Sequence, residues 1–221
     1  MREFHIFTDL DGTLLGKEDY RYEVNMQLIS DLKVKGIGVS LNTSKTLSET
    51  ECWQYKLGLD TPFIIENGAA ILFPKDKFER EQLKPYKVES RGRYFCLVLG
   101  MQIDNLEGLY RAYAEKVTSL IHCSQNEAIS LTGLGGSDLQ RARTREYTLP
   151  LIIPDLTIKE ELASDARQIG ARLIEGGRFC HLQGNSDKGS SMLIAKKIIE
   201  ESLEGELISI SLGDNENDLE M

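Results

Sequence analysis

Phe4-His5-Ile6-Phe7-Thr8-Asp9-Leu10-Asp11-Gly12-Thr13-Leu14-Leu15 runs from an apolar stretch directly into two carboxylates, two positions apart, and then a glycine. Residues 4–8 have the near-continuous apolar character of a strand buried on both faces of a parallel sheet. Asp9 then falls at the carboxyl end of that strand, where open α/β sheets bind their ligands. A turn at Gly12 would bring backbone amides to an anion at which Asp9 also points. The same residues suit a plain Asp- and Gly-rich turn, so their chemistry depends on partners further along the chain.

Phosphoryl transfer is the chemistry that such a loop suits. A carboxylate can attack phosphorus and hold the group as an aspartyl-phosphate. A hard cation and hydrogen-bond donors must then offset the repulsion between the two anions. A second carboxyl, Asp11, can protonate the leaving oxygen and later deprotonate water. The partners appear in order. Thr43-Ser44-Lys45 follows the apolar run 37–41, and Lys188 sits in Ser186-Asp187-Lys188-Gly189 at the start of a helical pattern. Gly213-Asp214-Asn215-Glu216-Asn217-Asp218 closes a further apolar run, 207–212.

Taken together, these pieces resemble the four-motif signature of the haloacid dehalogenase superfamily of phosphohydrolases. On that pattern Asp9 is the nucleophile and a ligand of Mg2+, and Asp11 is the acid and base, its backbone carbonyl serving as a further ligand. Asp214 is the second carboxylate on the metal, supported by Asp218, and Asn217 either joins that support or orients Lys188. The Thr43 hydroxyl and the Ser44 amide donate to phosphoryl oxygens, and Lys188 neutralises charge shared by Asp9 and the phosphoryl group.

Other stretches are similar to mannosyl-3-phosphoglycerate phosphatases: Thr43-Ser44-Lys45-Thr46 with Glu49, Pro62-Phe63-Ile64-Ile65-Glu66-Asn67-Gly68, Thr132-Gly133-Leu134, Arg145-Glu146-Tyr147 and Gly177-Arg178-Phe179. The resemblance implies a Mg2+-dependent phosphatase acting on a glycosyl-3-phosphoglycerate, most of all the mannosyl form, and producing a compatible solute. It makes Lys45, Glu66, Asn67, Arg145 and Arg178 candidates to contact the phosphate or the glycerate carboxylate, in a monomer or homodimer. The family pattern continues past the acidic motif with another helix and strand, whereas the sequence ends at Met221. The strand at 207–212 is therefore expected to have an open edge. A phosphatase of another sugar phosphate and a truncated, non-catalytic binding module are the alternative readings.

Composition narrows the partners. With 26 basic and 35 acidic residues the formal charge is -9, which disfavours nucleic acid and anionic membranes as main partners. An anionic substrate then needs a local basic pocket. Nine of the twelve arginines lie between Arg91 and Arg178, and arginine grips carboxylates and phosphates through two parallel hydrogen bonds. No signal peptide pattern precedes residue 4, and no window approaches about 18 apolar residues, so a cytoplasmic protein is expected. Cys52, Cys96, Cys123 and Cys180 have no metal-ligand spacing and read as reduced thiols. His5 and His181 lie within apolar runs and read as core or edge residues rather than catalysts.

Hydrophobic periodicity predicts strands at 4–8, 37–41 and 63–65 separated by helices at 24–35 and 47–57, an alternation that gives crossovers and a parallel sheet. Residues 69–73 read as a hairpin arm and 74–87 as a polar linker. A strand at 94–99, helices at 105–118, 137–144 and 158–169, a strand at 147–153 and a β arm at 171–175 and 178–182 follow without that regularity. A helix at 190–201 leads to the last strand. The expected fold is α/β: a doubly wound, Rossmann-like core (1–84 and 180–221) interrupted by an α+β cap (85–179) that sets specificity.

Overall fold

The computed structural model describes residues 2–17 and 19–221. In chain order its elements are β1 (Arg2–Thr8), α1 (Glu23–Val34), β2 (Gly38–Leu41), α2 (Leu47–Lys56), β3 (Phe63–Ile65), β4 (Ala70–Pro74), β5 (Val88–Arg91), β6 (Tyr94–Val98), α3 (Asp104–Tyr113), β7 (Thr118–Ser119), α4 (Gln125–Thr132), α5 (Gly136–Arg143), β8 (Thr148–Ile152), α6 (Leu156–Gln168), β9 (Ala171–Glu175), β10 (Cys180–Gly184), α7 (Lys188–Glu201) and β11 (Glu206–Leu212).

β1 lies between two parallel partners, β2 and β11, with Phe7 opposite Ser40 on one side and Ser211 on the other. A single parallel bridge, Asn42 to Ile64, brings β3 alongside β2. Side chains alternate across a strand, and both faces of this sheet are covered. Phe63 and Ile65 join Leu10, Val39, Leu57 and Ile29 of α1 on one face. Ile64 joins Phe7, Ile71 and the α7 residues Met192, Ala195 and Ile198 on the other. Helices on both faces explain the apolar character of β1 and β3 where they are covered, whereas β11, at the sheet's edge, alternates Ile208, Ser209, Ile210 and Ser211 and is exposed over its last three residues. The expected α/β architecture is present.

Caps fix where the helices nearest the strand ends begin. Thr46 and Glu49 form a reciprocal capping box at the start of α2, the Glu49 amide donating to Thr46 Oγ1 and the Thr46 amide to Glu49 Oε2. Asp187 caps α7 by accepting from the Ser190 amide at 2.6 Å. Each cap satisfies amides that have no partner within the helix, and each fixes the residue beside it, Lys45 or Lys188, at the carboxyl edge of the sheet.

The insert is built on an antiparallel sheet of order β7-β8-β10-β9. α3 and α6 cover one of its faces, burying Leu106, Tyr110, Leu162 and Ala166 against Leu149, Leu151 and Leu182. No helix among the described residues is long and apolar enough to cross a membrane.

Several expectations need correction. Both expected boundaries of the insert cut through sheets. β5 and β6 pair antiparallel in the order β3-β4-β6-β5, so the strands at 88–98 stay with the first sheet. β10 pairs with β8 and β9 and so belongs to the insert's sheet. The expected linker 74–87 instead buries Phe78 and Leu83 and makes a 3-10 turn at Arg80–Leu83. The helix expected to reach residue 118 stops at Tyr113, and Thr118–Ser119 pairs with β8 instead. α4 starts behind the Ser124 cap, and its short apolar pattern has no clear period in the sequence.

Candidate active site

Leaving β1, the chain turns tightly: the Leu15 amide donates to the Leu10 carbonyl at 2.8 Å and the Gly12 amide to the Leu15 carbonyl at 3.0 Å. Gly12 has φ +82°, and a Cβ built there would stand 2.4 Å from Asp214 Oδ2. Only glycine accepts both that backbone conformation and that approach. The acidic loop after β11 can thus come up against the loop after β1.

Three carboxylates gather where these loops meet. Oxygens of Asp9, Asp214 and Asp218 all lie within 4.8 Å of one another. Lys188 Nζ, with its side chain 2% exposed, donates to Asp9 Oδ1 at 2.7 Å and to Asp218 Oδ1 at 2.6 Å. Asp218 Oδ2 in turn accepts from the amides of Asp214 at 3.1 Å and Asn215 at 3.0 Å, which holds the acidic loop in shape. Asp214 is more open and receives Lys17 Nζ at 3.1 Å. Burial raises the pKa of Asp9 even though Lys188 opposes the rise. All three side chains offer hard oxygen donors, the set that Mg2+ requires, with room for water at its remaining positions. The residues present therefore fit that ion.

Asp11 faces another cation. Lys45 Nζ lies 2.7 Å from Asp11 Oδ2 and 4.0 Å from Glu49 Oε1. Burial works against the Lys45 charge, but Asp11 and Glu49 more than offset it and hold the ammonium above its ordinary range. Asp11 Oδ1 is buried with no hydrogen-bond partner among the described residues.

A cavity of about 360 Å³ joins these groups to the insert. Asp9, Asp11, Ser44, Lys45, Arg145, Arg178 and Lys188 line it, together with Lys17, Tyr20, Phe179 and His181. Asp214 and Asp218 stand in the carboxylate cluster beside it. Three residues expected at the substrate do not line it. Thr43 is 1% exposed, and its hydroxyl accepts from the Lys45 amide at 3.2 Å. Glu66 is spent on the insert, accepting from the amides of Glu146 and Tyr147 at 3.0 and 3.1 Å and from Thr148 Oγ1 at 2.8 Å. Asn67 links Gln183 and Asn217. Glu66 and Asn67 both have positive φ, 47° and 55°. They turn the chain after β3 so that their side chains reach the insert instead of the cavity.

Arg145 also couples the two parts, its Nη1 donating to the Ser44 carbonyl at 3.1 Å and to Thr148 Oγ1 at 2.8 Å. Arg178 donates to the Thr132 carbonyl at 2.6 Å. Sequence reasoning missed Lys17, Tyr20 and His181 as lining residues. The first two lie in an irregular polar stretch that carries no pattern. The third has an apolar setting that reads as core.

The protein family described as haloacid dehalogenase-like hydrolase matches residues 6–96. A crystal structure from Thermoplasma acidophilum, 19% identical, covers 100% of this chain and 81% of its own with a TM-score of 0.68, a likeness of fold. Among named relatives, the mannosyl-3-phosphoglycerate phosphatase of Pyrococcus furiosus is 34% identical over 98% of this chain and 86% of its own. The glucosyl-3-phosphoglycerate/mannosyl-3-phosphoglycerate phosphatase of Persephonella marina is 35% identical over 98% of this chain and 80% of its own. With identity of that order along nearly its whole length, the chain belongs to the mannosyl-3-phosphoglycerate phosphatase group of the haloacid dehalogenase-like hydrolases.

Proposed function

We propose that the protein hydrolyses a glycosyl-3-phosphoglycerate, the mannosyl form foremost, to the glycosylglycerate and phosphate, with Mg2+ as cofactor and an aspartyl-phosphate on Asp9. The observation that carries this reading is Lys188 Nζ held between Asp9 and Asp218, with an Asp214 oxygen in the same cluster. That cluster adjoins a cavity that Arg145 and Arg178 also line. The named relatives act on sugar-acid phosphates of this kind.

In the first half-reaction an Asp9 carboxylate oxygen attacks phosphorus, the P–O bond to the substrate breaks, and Asp11 gives its proton to the leaving oxygen. In the second, water attacks the phosphorus of the aspartyl-phosphate, Asp11 takes a proton from it, and the bond to Asp9 breaks to release phosphate. Lys188 offsets negative charge beside Asp9 throughout, while the Ser44 amide supplies a donor to the phosphoryl oxygens and Thr43, which does not line the cavity, accepts from the Lys45 amide behind it. Asp9, Asp214 and Asp218, with the Asp11 carbonyl, would hold Mg2+, which would supply positive charge to offset the repulsion of nucleophile and phosphate. Lys45, 2.7 Å from Asp11 Oδ2, holds Asp11 in position. We infer a cytoplasmic enzyme, monomeric or homodimeric, acting on a small anion and not on nucleic acid or membrane.

Phosphate release from mannosyl- and glucosyl-3-phosphoglycerate and from plain hexose phosphates tests this reading. Mg2+-dependent release favouring the phosphoglycerates is expected, with a loss of about 1,000-fold or more in Asp9→Asn. No release by the unaltered protein in Mg2+ overturns the enzyme reading, and equal rates on hexose phosphates overturn the substrate.

A further inference from the structure

β10 presents two side chains away from the insert's own core. Leu182 packs with Leu149 and Leu162, and because side chains alternate along a strand, His181 and Gln183 stand on the opposite face. Gln183 is fully engaged, accepting from Asn67 and donating to the Ser186 carbonyl. His181 is not. It is 5% exposed and lines the cavity, yet its Nδ1 is sealed from solvent without a hydrogen-bond partner among the described residues.

One edge of the ring is open because of a glycine. A Cβ built on Gly176, which also lines the cavity, would stand 3.3 Å from both Nε2 and Cδ2 of His181. Any side chain there would cover that edge. Burial first, then the charges of Arg145 and Lys188, bring the His181 pKa down to about 3, so the ring is neutral at working pH. A neutral imidazole carries one proton. On Nδ1 it would be a buried donor with no acceptor, which is costly. On Nε2 it stands at the edge beside Gly176, and the sealed Nδ1 is then an unpaired acceptor, which is tolerated better than a buried N–H with nowhere to donate.

Arg145 has a similar surplus. Its Nε and Nη1 are held by the carbonyls of Ala142 and Ser44 and by Thr148 Oγ1, while its Nη2 makes no hydrogen bond among the described residues. Lys188, on the phosphoryl side, is taken by Asp9 and Asp218. A carboxylate has two oxygens and can accept from an imidazole N–H and a guanidinium N–H at once.

We propose that His181 is a specificity-determining residue whose Nε2–H donates to the carboxylate of the organic group that leaves the phosphate. The inference rests on the glycosyl-3-phosphoglycerate reading and adds to it a neutral donor that Gly176 keeps uncovered.

The test compares kcat/KM for mannosyl-3-phosphoglycerate with that for its carboxyl methyl ester, which has the same sugar and phosphate but no carboxylate charge. The unaltered protein should prefer the free acid. His181→Leu and Gly176→Ala should each reduce that preference at least tenfold, whereas His181→Gln, which can place an amide N–H near the position of Nε2, should keep most of it. If the unaltered protein does not prefer the free acid, the substrate reading fails and takes this inference with it. If it does and all three variants keep the preference, only the inference is overturned. Because Gly176→Ala leaves the histidine in place, that variant decides the matter should His181→Leu not fold. The chain has 3 histidines, so 15N spectra of the imidazoles give a second readout. The Nε2–H tautomer is expected for His181, with its proton signal moving when mannosylglycerate is added. The Nδ1–H tautomer overturns the proposal.

Discussion

Lys188 Nζ lies 2.7 Å from Asp9 Oδ1, and both side chains are almost wholly withdrawn from solvent, at 2% and 7% exposure. Removing one partner of such a pair leaves an uncompensated charge, which costs far more than the pair itself contributes. Here two carboxylates lose their partner at once, because Asp218 leans on the same ammonium. Lys188→Met is therefore expected to lose about 3–5 kcal/mol of stability by urea unfolding and to release no measurable phosphate.

Asp9→Asn should behave in the opposite way toward stability. Burial raises the Asp9 pKa, so the folded state holds that proton more tightly than the unfolded chain does. The contribution of this group to stability consequently falls as pH rises from the ordinary carboxylate value through the raised one. Without metal, Asp9→Asn should gain on the unaltered protein in unfolding free energy as pH rises above the ordinary carboxylate range, while losing activity. A constant difference as the pH rises would show that Asp9 titrates alike in both states.

Gly12→Ala probes how closely the two acidic loops meet. The added methyl would have to occupy space 2.4 Å from Asp214 Oδ2 at a backbone φ of +82°. Strain and collision should cost about 1–3 kcal/mol and push Asp214 out of the carboxylate cluster. Mg2+ titration by calorimetry should show at least a tenfold weaker site, similar to that of Asp214→Asn. Unchanged affinity would remove Asp214 from the ligand set.

His5 supplies a pH dependence unrelated to catalysis. Its ring is buried, donates or accepts at 2.8 Å with Ser40 Oγ, and has its pKa lowered by burial to about 4. The unfolded chain binds this proton more readily, so the contribution is fully present above about pH 6.5 and is lost as pH falls toward 4, amounting to about 3 kcal/mol. His181 acts in the same direction, so the measurement is a difference: unfolding free energies at pH 7 and pH 4.5 for the unaltered protein and for His5→Gln. A markedly smaller loss is expected in the variant.

Glu66→Gln tests the junction between the insert and the core. The carboxylate accepts from three donors, the amides of Glu146 and Tyr147 and the Thr148 hydroxyl. A glutamine has one acceptor oxygen and sets an NH2 against donors at the other position. The substitution should cost about 1–3 kcal/mol in thermal or urea unfolding and raise KM. An effect as small as that of a surface substitution would mean that the junction is held elsewhere.

The parts of the site carried on strand ends were legible in the sequence. Asp9, Thr43 and Asp214 each follow an apolar run and Lys188 opens a helical pattern, an order that resembles the family signature; Asp9, Lys188 and Asp214 do lie together, whereas Thr43 stays behind the cavity wall. What escaped reading depends on long-range geometry. Glu66 and Asn67 looked like cavity residues, but positive φ at both sends their side chains into the junction. β5 and β6 looked like part of the insert because nothing local distinguishes an antiparallel strand that extends the first sheet from one that starts another. His181 looked like core because its neighbours Cys180 and Leu182 are apolar. Its face is fixed by the register of β10 against β8 and β9, and its open edge by a glycine five residues earlier.

Glu66 closes more than a gap in the hydrogen-bonding scheme. Its three donors all belong to the insert, so one buried side chain of the core sets the angle at which the insert stands. For as long as those three bonds persist, the walls that the two parts contribute to the cavity keep one spacing.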